Sequence, residues 1–441
     1  MNNWKRRFTL VAGFVVVLAA AALAWNPGHG YQQAKAATDY RQLQKFSQVM
    51  ELVRRSYVKE VTDEQLIDGA LAGMLSHLDP HSLYLDKDMY KQMQVDTTGE
   101  FGGVGIEITS AEGGIRIVAP IEDTPGDRAG LHAGDLIIKI DGELARDMSL
   151  PEAVKRMRGK PGTPVVLTIF RKGTDAPFDV RVVRDIIHVK SVKSDFLDNH
   201  FAYLRITQFQ EKTASTLREQ VAALEKRAGH PLDGAVLDLR NNPGGLLDQA
   251  VKVSDLFLDK GNIVSTKSRV GRNLSFDAHP GDILRGKPLI VLINQGTASA
   301  AEIVSGALQD HHRAVLLGER SFGKGSVQSV VPLQDGTAIK VTTALYYTPS
   351  GRSIQATGIE PDIKVAFVPL PPRDEKKPHI AGISERDLRG HLDNGNGKHG
   401  KERKAEEPKL ASAAMRQRLA RDVQLQRALD LLKGLHALRR Q

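Results

Sequence analysis

The chain of 441 residues contains no cysteine, which excludes disulfides, thiolate nucleophiles and thiolate metal sites, and also a lipidated cysteine behind an export signal. Long apolar runs are almost as scarce: the one that bears on a membrane is Leu10 to Ala24. Aromatic residues make up 5% of the chain and none follows Phe367, so the C-terminal part lacks the rings on which single-stranded nucleic acid stacks. From Arg373 onward 17 Lys and Arg stand against 10 Asp and Glu. Interleaved signs of this kind mark a solvated linker, and nucleic acid is not an expected partner. The remaining composition is that of a globular protein long enough for two or three domains.

What is present is a serine in a reactive setting. Ser299 stands in Gly296-Thr-Ala-Ser-Ala-Ala-Glu302, directly after the apolar run Pro288 to Ile293. A serine flanked by alanines at a strand-to-helix turn is uncrowded and lies beside backbone N–H groups that no earlier helical turn consumes. The bland alternative is an ordinary helix N-cap. A serine hydroxyl needs a base, and the histidines are badly placed: His311 and His312 lie 12 and 13 residues on along one helix, roughly 18 Å away at about 1.5 Å per residue. A lysine can act instead where apolar burial disfavours its charged form. Lys324, between Gly323 and Gly325, fits that need, although a lysine between glycines is commonly a solvated loop charge. Ser326 to Pro332 reads as a strand, and Lys324, Ser326 and Gln328 share one face of it. Gln328 is thus placed to hydrogen-bond a neutral amine. Gly318-Glu-Arg-Ser-Phe-Gly-Lys324 also matches the first seven positions of a phosphate-binding loop, but Gly325 stands where that loop needs Ser or Thr. No nucleotide, metal or other cofactor is expected.

Gly234 to Leu239 reads as a buried strand running into Asn241-Asn-Pro-Gly-Gly245, dense turn chemistry ahead of a helical pattern. Asp238 and Arg240 read as a structural ion pair or turn anchors rather than acid–base groups. These blocks resemble the carboxyl-terminal processing peptidases, or tail-specific proteases. The resemblance rests on Gly-Thr-Ala-Ser-Ala-Ala-Glu, on Ser-Phe-Gly-Lys-Gly-Ser-Val-Gln with Lys324 25 positions after Ser299, on Leu78-Asp-Pro-His-Ser-Leu-Tyr-Leu85, on Phe101-Gly-Gly-Val-Gly-Ile-Glu-Ile108, on Ala129-Gly-Leu-His-Ala-Gly-Asp135 and on Asp238-Leu-Arg-Asn-Asn-Pro-Gly-Gly245. It implies Ser299 as nucleophile, Lys324 as general base and Gln328 as the residue that orients it. It further implies an oxyanion hole from backbone N–H groups of Gly244, Gly245 and Ala300. Where the family often has a second serine this chain has Ala301, which leaves Ser299 as the nucleophile. Two rivals remain at this stage: a PDZ adaptor with an inert core, and a lipid or thioester hydrolase on the same architecture.

The fold class expected is multidomain α/β. Residues 1–24 form a signal peptide or anchor, with Lys5, Arg6 and Arg7 ahead of the apolar run, and the protein is expected to be exported to the periplasm or held there at the inner membrane. An N-terminal helical region over 38–95 is followed by a PDZ domain, a small β-barrel with helices, over 96–190. By the resemblance Gly102, Gly103, Val104, Gly105 and Ile106 receive a substrate's free C-terminus, the glycine N–H groups cradling its carboxylate. The alternating strands and helices of 191–368 imply a sheet covered by helices, and the resemblance makes this a crotonase-like α/β protease core. A linker over 369–410 precedes a helix over 411–441, whose apolar stripe of Met415, Leu419, Val423, Ala428, Leu429, Leu432 and Leu435 is expected to form a homo-oligomer, the alternative being packing back on the chain's own core. Expected partners are protein substrates with free C-termini, and the resemblance also admits an adaptor protein of the envelope.

Overall fold

The computed structural model describes residues 27–121, 123–368 and 410–439, so the expected signal or anchor and nearly all of the expected linker lie outside the described residues. The chain divides after Asp86 into two units. In the first, helices α1 (Pro27–Ser56) and α2 (Asp63–Ser76) precede strand β1 (Leu83–Leu85). The Thr62 capping signal is realised on both sides: Thr62 Oγ1 accepts from the Gln65 N–H at 3.2 Å and Gln65 Oε1 from the Thr62 N–H at 3.0 Å. Helix α3 (Lys87–Thr98) belongs to the second unit, so the helical region ends earlier than the sequence pattern suggests. Periodicity alone does not tell which neighbour a helix serves.

The second unit opens with a small antiparallel domain. Its strands are β2 (Glu100–Gly103), β3 (Ile106–Ala111), β4 (Gly114–Pro120), β5 (Leu136–Ile140), β6 (Glu143–Leu144), β7 (Pro164–Phe170), β8 (Phe178–Val183) and β9 (Asp185–His188), with helices α4 (Pro125–Arg128) and α5 (Leu150–Met157). The main sheet runs β3-β4-β5-β7-β8, and β2 pairs with β9. In β7 Val165, Leu167 and Ile169 are fully buried while the residues between them are not, the alternation of a strand with one face on a core. That core takes Ala153 and Met157 from α5 and Ile106 and Ile108 from β3. Strand β3 lies at the sheet edge, hydrogen-bonded to β4 alone within that sheet.

The larger part is a mixed α/β layer structure. Its strands are β10 (Val192–Phe196), β11 (Phe201–Ile206), β12 (Gly234–Asp238), β13 (Asn262–Ser268), β14 (Leu274–Asp277), β15 (Leu289–Ile293), β16 (Val315–Gly318), β17 (Ser326–Pro332), β18 (Ala338–Tyr347) and β19 (Ile363–Lys364), and its helices α6 (Thr213–Ala228), α7 (Leu247–Asp255) and α8 (Ala300–Asp310). One sheet runs β10-β11-β12-β15-β16-β19, parallel from β11 onward. Every residue of β12 and β15 is buried, as parallel strands covered on both faces require. Alternate residues point to different cores. Ala235, Leu237, Leu289 and Val291 meet α6, α7 and α8, while Val236, Ile290, Leu292 and Leu317 meet Met415, Leu425, Ala428, Leu429 and Leu432.

Those last residues lie on helices α9 (Ala413–Arg421) and α10 (Val423–Arg439), two helices where one was expected. They break at Asp422, which is extended at ψ 97°. Most of the stripe expected to mediate self-association lies against this chain's own sheet, with Leu432 fully buried, Leu419 and Val423 partly buried and Leu435 at 37% exposure. A parallel sheet has two apolar faces, and the second needed a cover.

Candidate active site

The parallel strands β12 and β15 deliver two turns to the same end of the sheet, where ligand sites of open α/β sheets form. Thr297 Oγ1 donates to the Leu239 carbonyl at 2.9 Å, the Ala298 N–H donates to the Asn242 carbonyl at 2.9 Å, and Asn241 and Asn294 exchange hydrogen bonds. The turns are thereby locked to each other. Ser299 closes the second turn at φ 55°, ψ −116°, a conformation costly for a residue with a Cβ and characteristic of strained functional turns. It is the N-cap position of α8, yet the Glu302 N–H that such a residue would take is given to the Ser299 carbonyl at 2.8 Å.

Ser299 lines a cavity of about 360 Å3 together with Pro243, Gly244, Gly245, Ala300, Lys324, Ser326, Gln328 and Tyr346. The sequence-predicted site residues of the core, 30 to 80 positions apart in places, therefore meet around one space. Apolar side chains of Leu246, Leu247, Ile303, Val327 and Val330 complete its walls, and Met93, Asp96 and Thr97 of α3 stand at it too. Gln328 Nε2 donates to Ser326 Oγ at 3.0 Å and to Thr342 Oγ1 at 3.4 Å. The β17–β18 register shifts between Val327 and Gln328, so β17 does not keep the plain alternation expected of it.

The expected oxyanion donors separate on inspection. The Gly244 N–H donates to Asn242 Oδ1 at 2.9 Å and is spent on the turn. Asn242, itself buried, makes an Asx turn there. The N–H groups of Gly245 and Ala300 carry no hydrogen bond among the described residues, and Ala300 is the first residue of α8, where N–H groups have no partner within the helix. Gly244 and Gly245 hold φ of 101° and 138°. A Cβ on Gly244 would stand 2.7 Å from Ser299 Cβ, and one on Gly245 would stand 2.2 Å from the Phe209 carbonyl oxygen. Only glycine lets this turn press against the serine.

Two residues that the sequence reading missed hold the assembly. Glu302, fully buried, accepts four hydrogen bonds: from the Ser299 N–H at 2.8 Å and the Lys324 N–H at 2.8 Å on Oε2, and from Ser321 Oγ at 2.6 Å and the Gly323 N–H at 2.7 Å on Oε1. One carboxylate oxygen thus ties the backbones of both key residues. Its signal was the Ser-x-x-Glu spacing from Ser299, a pattern that ordinarily only caps a helix. Tyr346, on β18, donates its hydroxyl to the Lys324 carbonyl and lines the same cavity as Ser299, whose hydroxyl is close enough to favour the ionised phenol. A phenol has one proton and Tyr346 gives it to the Lys324 carbonyl, so toward Ser299 it can act only as an acceptor. Burial holds the phenol well above its ordinary range, with the hydrogen bond from Ser299 working the other way, and Tyr346 stays protonated.

At the smaller domain, the expected carboxylate cradle is only partly where the glycines suggested. Gly102 and Gly103 are paired within β2–β9, opposite Ile186 and Asp185, and a Cβ on Gly102 would lie 2.1 Å from the Gly159 carbonyl oxygen. Their small size serves packing. Val104, Gly105 and Ile106 lead into the edge strand β3, the side on which a peptide strand can add. Helix α3 is hydrogen-bonded both to this domain, through Asp88 to Lys155 at 2.7 Å and Gln92 to Arg158, and to the core, through the Asp96 carbonyl to Gln208 and Gln210 at 3.4 Å.

Comparison with known proteins identifies this assembly. Residues 200–365 match the model of peptidase family S41, residues 116–171 that of the PDZ domain, and residues 20–89 that of the activating protease CtpB N-terminal domain. The carboxy-terminal-processing protease of Bartonella bacilliformis is 49% identical over 398 residues, covering 90% of this chain and 89% of that protein. The chain belongs to the carboxy-terminal processing proteases of family S41. The carboxy-terminal processing protease CtpA of Bacillus subtilis is 37% identical over 389 residues, 87% of this chain and 82% of that one. Among solved structures, the photosystem II D1 C-terminal processing protease aligns with a TM-score of 0.44 at 29% identity, over 72% of this chain and 86% of its own. Members of this family are serine-type peptidases; the small antiparallel domain, which holds the residues that match the PDZ model, is a PDZ domain, and the parallel-sheet layer, which holds those that match the S41 model, is the protease core. Among the described residues no group of His, Asp and Glu side chains is arranged to hold a metal ion.

Proposed function

We propose that the protein is an exported serine endopeptidase that takes up protein C-termini through its PDZ domain and cleaves with Ser299 and Lys324. The observation that carries this reading is the strained Ser299 in one cavity with Lys324, beside two backbone N–H groups that no other described residue uses. In the reaction the Ser299 hydroxyl turns from Tyr346 to the neutral Lys324 amine, gives up its proton and attacks the scissile carbonyl. The oxygen anion that forms is met by the N–H groups of Gly245 and Ala300, each such donor contributing about 2.7 to 4 kcal/mol to the transition state. The Lys324 ammonium then protonates the leaving amine, and water releases the acyl group from Ser299 by the reverse sequence. Gln328, already oriented by Ser326 and Thr342, aligns the amine.

The edge strand β3 beside α5 supports uptake of an extended C-terminal tail, and the basic and apolar pattern of residues 5–24 supports export to the periplasm or retention at the inner membrane. The test is proteolysis of a loosely folded protein with an apolar C-terminus. Ser299→Ala and Lys324→Ala should each abolish cleavage, with circular dichroism and tail-peptide binding unchanged. Cleavage retained by either variant removes the mechanism, and tail binding by a wild-type protein that cleaves nothing favours an adaptor instead.

A further inference from the structure

We infer that the C-terminal helices are part of the catalytic apparatus, with Asp422 a positioning residue that holds the oxyanion turn in place through Arg240. This rests on the reading of Gly245 as an oxyanion donor. Arg240 is the residue immediately before Asn241-Asn-Pro-Gly-Gly245, and its side chain is 6% exposed. All five of its guanidinium N–H groups are accounted for. Nε and Nη2 reach the two oxygens of Asp238 at 3.0 and 2.7 Å, Nη1 and Nη2 reach the two oxygens of Asp422 at 3.0 and 2.7 Å, and Nη1 also reaches Gln424 Oε1 at 2.8 Å. The guanidinium plane is thus clamped between two bidentate carboxylates, the geometry that fixes orientation as well as charge.

The two carboxylates are unlike in what they can do. Asp238 ends β12, the strand that carries the turn, and also accepts from Tyr203 at 2.7 Å and Arg205 at 3.2 Å. It follows the strand wherever the strand goes. Asp422 instead stands at the break between α9 and α10, 182 residues away in sequence, and accepts the Leu425 N–H at 3.0 Å as it starts α10. Gln424 is anchored in turn to the Val365 carbonyl at 2.7 Å, next to β19. Three of the five bonds on Arg240 therefore come from the C-terminal segment. The turn is tied at its far end to Phe209, and at its near end to Arg240 and, through the Asn241 N–H, to Asn294. A donor displaced by about 1 Å can lose roughly a hundredfold in rate, so a turn released at one end is sufficient to impair the chemistry. Apolar cover alone does not explain a buried ion cluster at this position, because well-packed hydrophobic residues of similar volume are often at least as stabilising.

The experiment uses the full chain carrying Asp422→Ala, with Gln424→Leu as a milder variant that removes one acceptor. Cleavage of a peptide substrate is read together with affinity for the matching peptide aldehyde. The Ser299 oxygen adds to that aldehyde, its proton passes to Lys324, and the former carbonyl oxygen takes the negative charge in the oxyanion hole. Expected is a fall of about tenfold to a hundredfold in kcat and a parallel loss of aldehyde affinity, with KM and PDZ binding of a free C-terminal tail within about twofold. Asp422→Asn, which keeps one acceptor oxygen, should recover part of the loss. Wild-type kcat and aldehyde affinity in Asp422→Ala, with or without a lowered melting temperature, overturn the inference. If Asp422→Ala does not fold, the same readings on Gln424→Leu decide. Cleavage by Ser299→Ala would instead bring down the reading beneath it, a different result in a different variant.

Discussion

A carboxylate buried in a protein interior must have its charge met by donors, and Glu302 has four, two of them from the backbones of Ser299 and Lys324. Residue by residue, this is the point where stability and chemistry coincide. Glu302→Ala would leave three backbone N–H groups and a hydroxyl facing a void, a loss of about 3 kcal/mol or more, read as a lower urea midpoint. Because the same carboxylate ties the backbones of Ser299 and Lys324, the proposed nucleophile and base, kcat should fall by at least about tenfold at temperatures where the variant is still folded. Full kcat in a folded Glu302→Ala protein would show that the spacing is set elsewhere. Ser299 and Lys324 were legible in the sequence because their neighbours are diagnostic: alanines around one, glycines around the other. Glu302 and Tyr346 were not, because a Ser-x-x-Glu spacing and a tyrosine in a strand are each commonplace until their partners are known.

Among elements, the turn after β12 has the least freedom. Gly245→Ala puts a Cβ within 2.2 Å of the Phe209 carbonyl at a φ of 138°, so the turn must shift off Phe209 and its N–H groups must change position. Proteolysis should drop by about two orders of magnitude, as for loss of an oxyanion donor, while tail binding by the PDZ domain persists. A Gly245→Ala protein with normal turnover would remove Gly245 from the hole. In the PDZ domain Asp135 is buried and held by Arg171, whose two nitrogens reach it at 2.7 Å. Burial alone would raise its pKa, but the Arg171 hydrogen bonds and the His132 N–H hold it below the ordinary carboxylate range. A folded pKa below the unfolded one contributes stability above the unfolded value, and that stability is lost as pH falls through the folded one. Acidification should therefore weaken the wild-type domain over that window, and Asp135→Asn should flatten the dependence in melting temperatures measured from neutral pH downward. An equally steep acid decline in the variant would place the sensitivity on other carboxylates. Helix boundaries in the core were readable to within a residue or two: α6 buries one stripe, and α8, buried on all sides over Ala300 to Leu308, starts directly at the Ser299 turn. The β17 bulge and the split at Asp422 were not, since both answer to distant partners.

For the whole molecule, the central sheet is the organising object. Its two faces draw on segments far apart in the chain, and the C-terminal helices supply the second cover. Truncation after Lys409 should expose Val236, Ile290, Leu292 and Leu317 and produce a protein with a lowered melting temperature that aggregates on mild heating, whereas a self-association role would leave a stable, smaller species in sedimentation. A monomeric truncated protein of unchanged melting temperature would contradict the packing described.

The sequence by itself determined the family, the α/β core and the PDZ domain, and it pointed to Ser299 and Lys324 as candidates, because those depend on local features: periodicity, turn residues and short motifs whose geometry is set within a few residues. Which N–H groups stay open, which carboxylate spans nucleophile and base, and where the last two helices dock were decided only by the tertiary structure. Hydrogen bonds such as Arg240 to Asp422 join residues 182 positions apart, and no local pattern encodes a partner that only the folded sheet brings within reach.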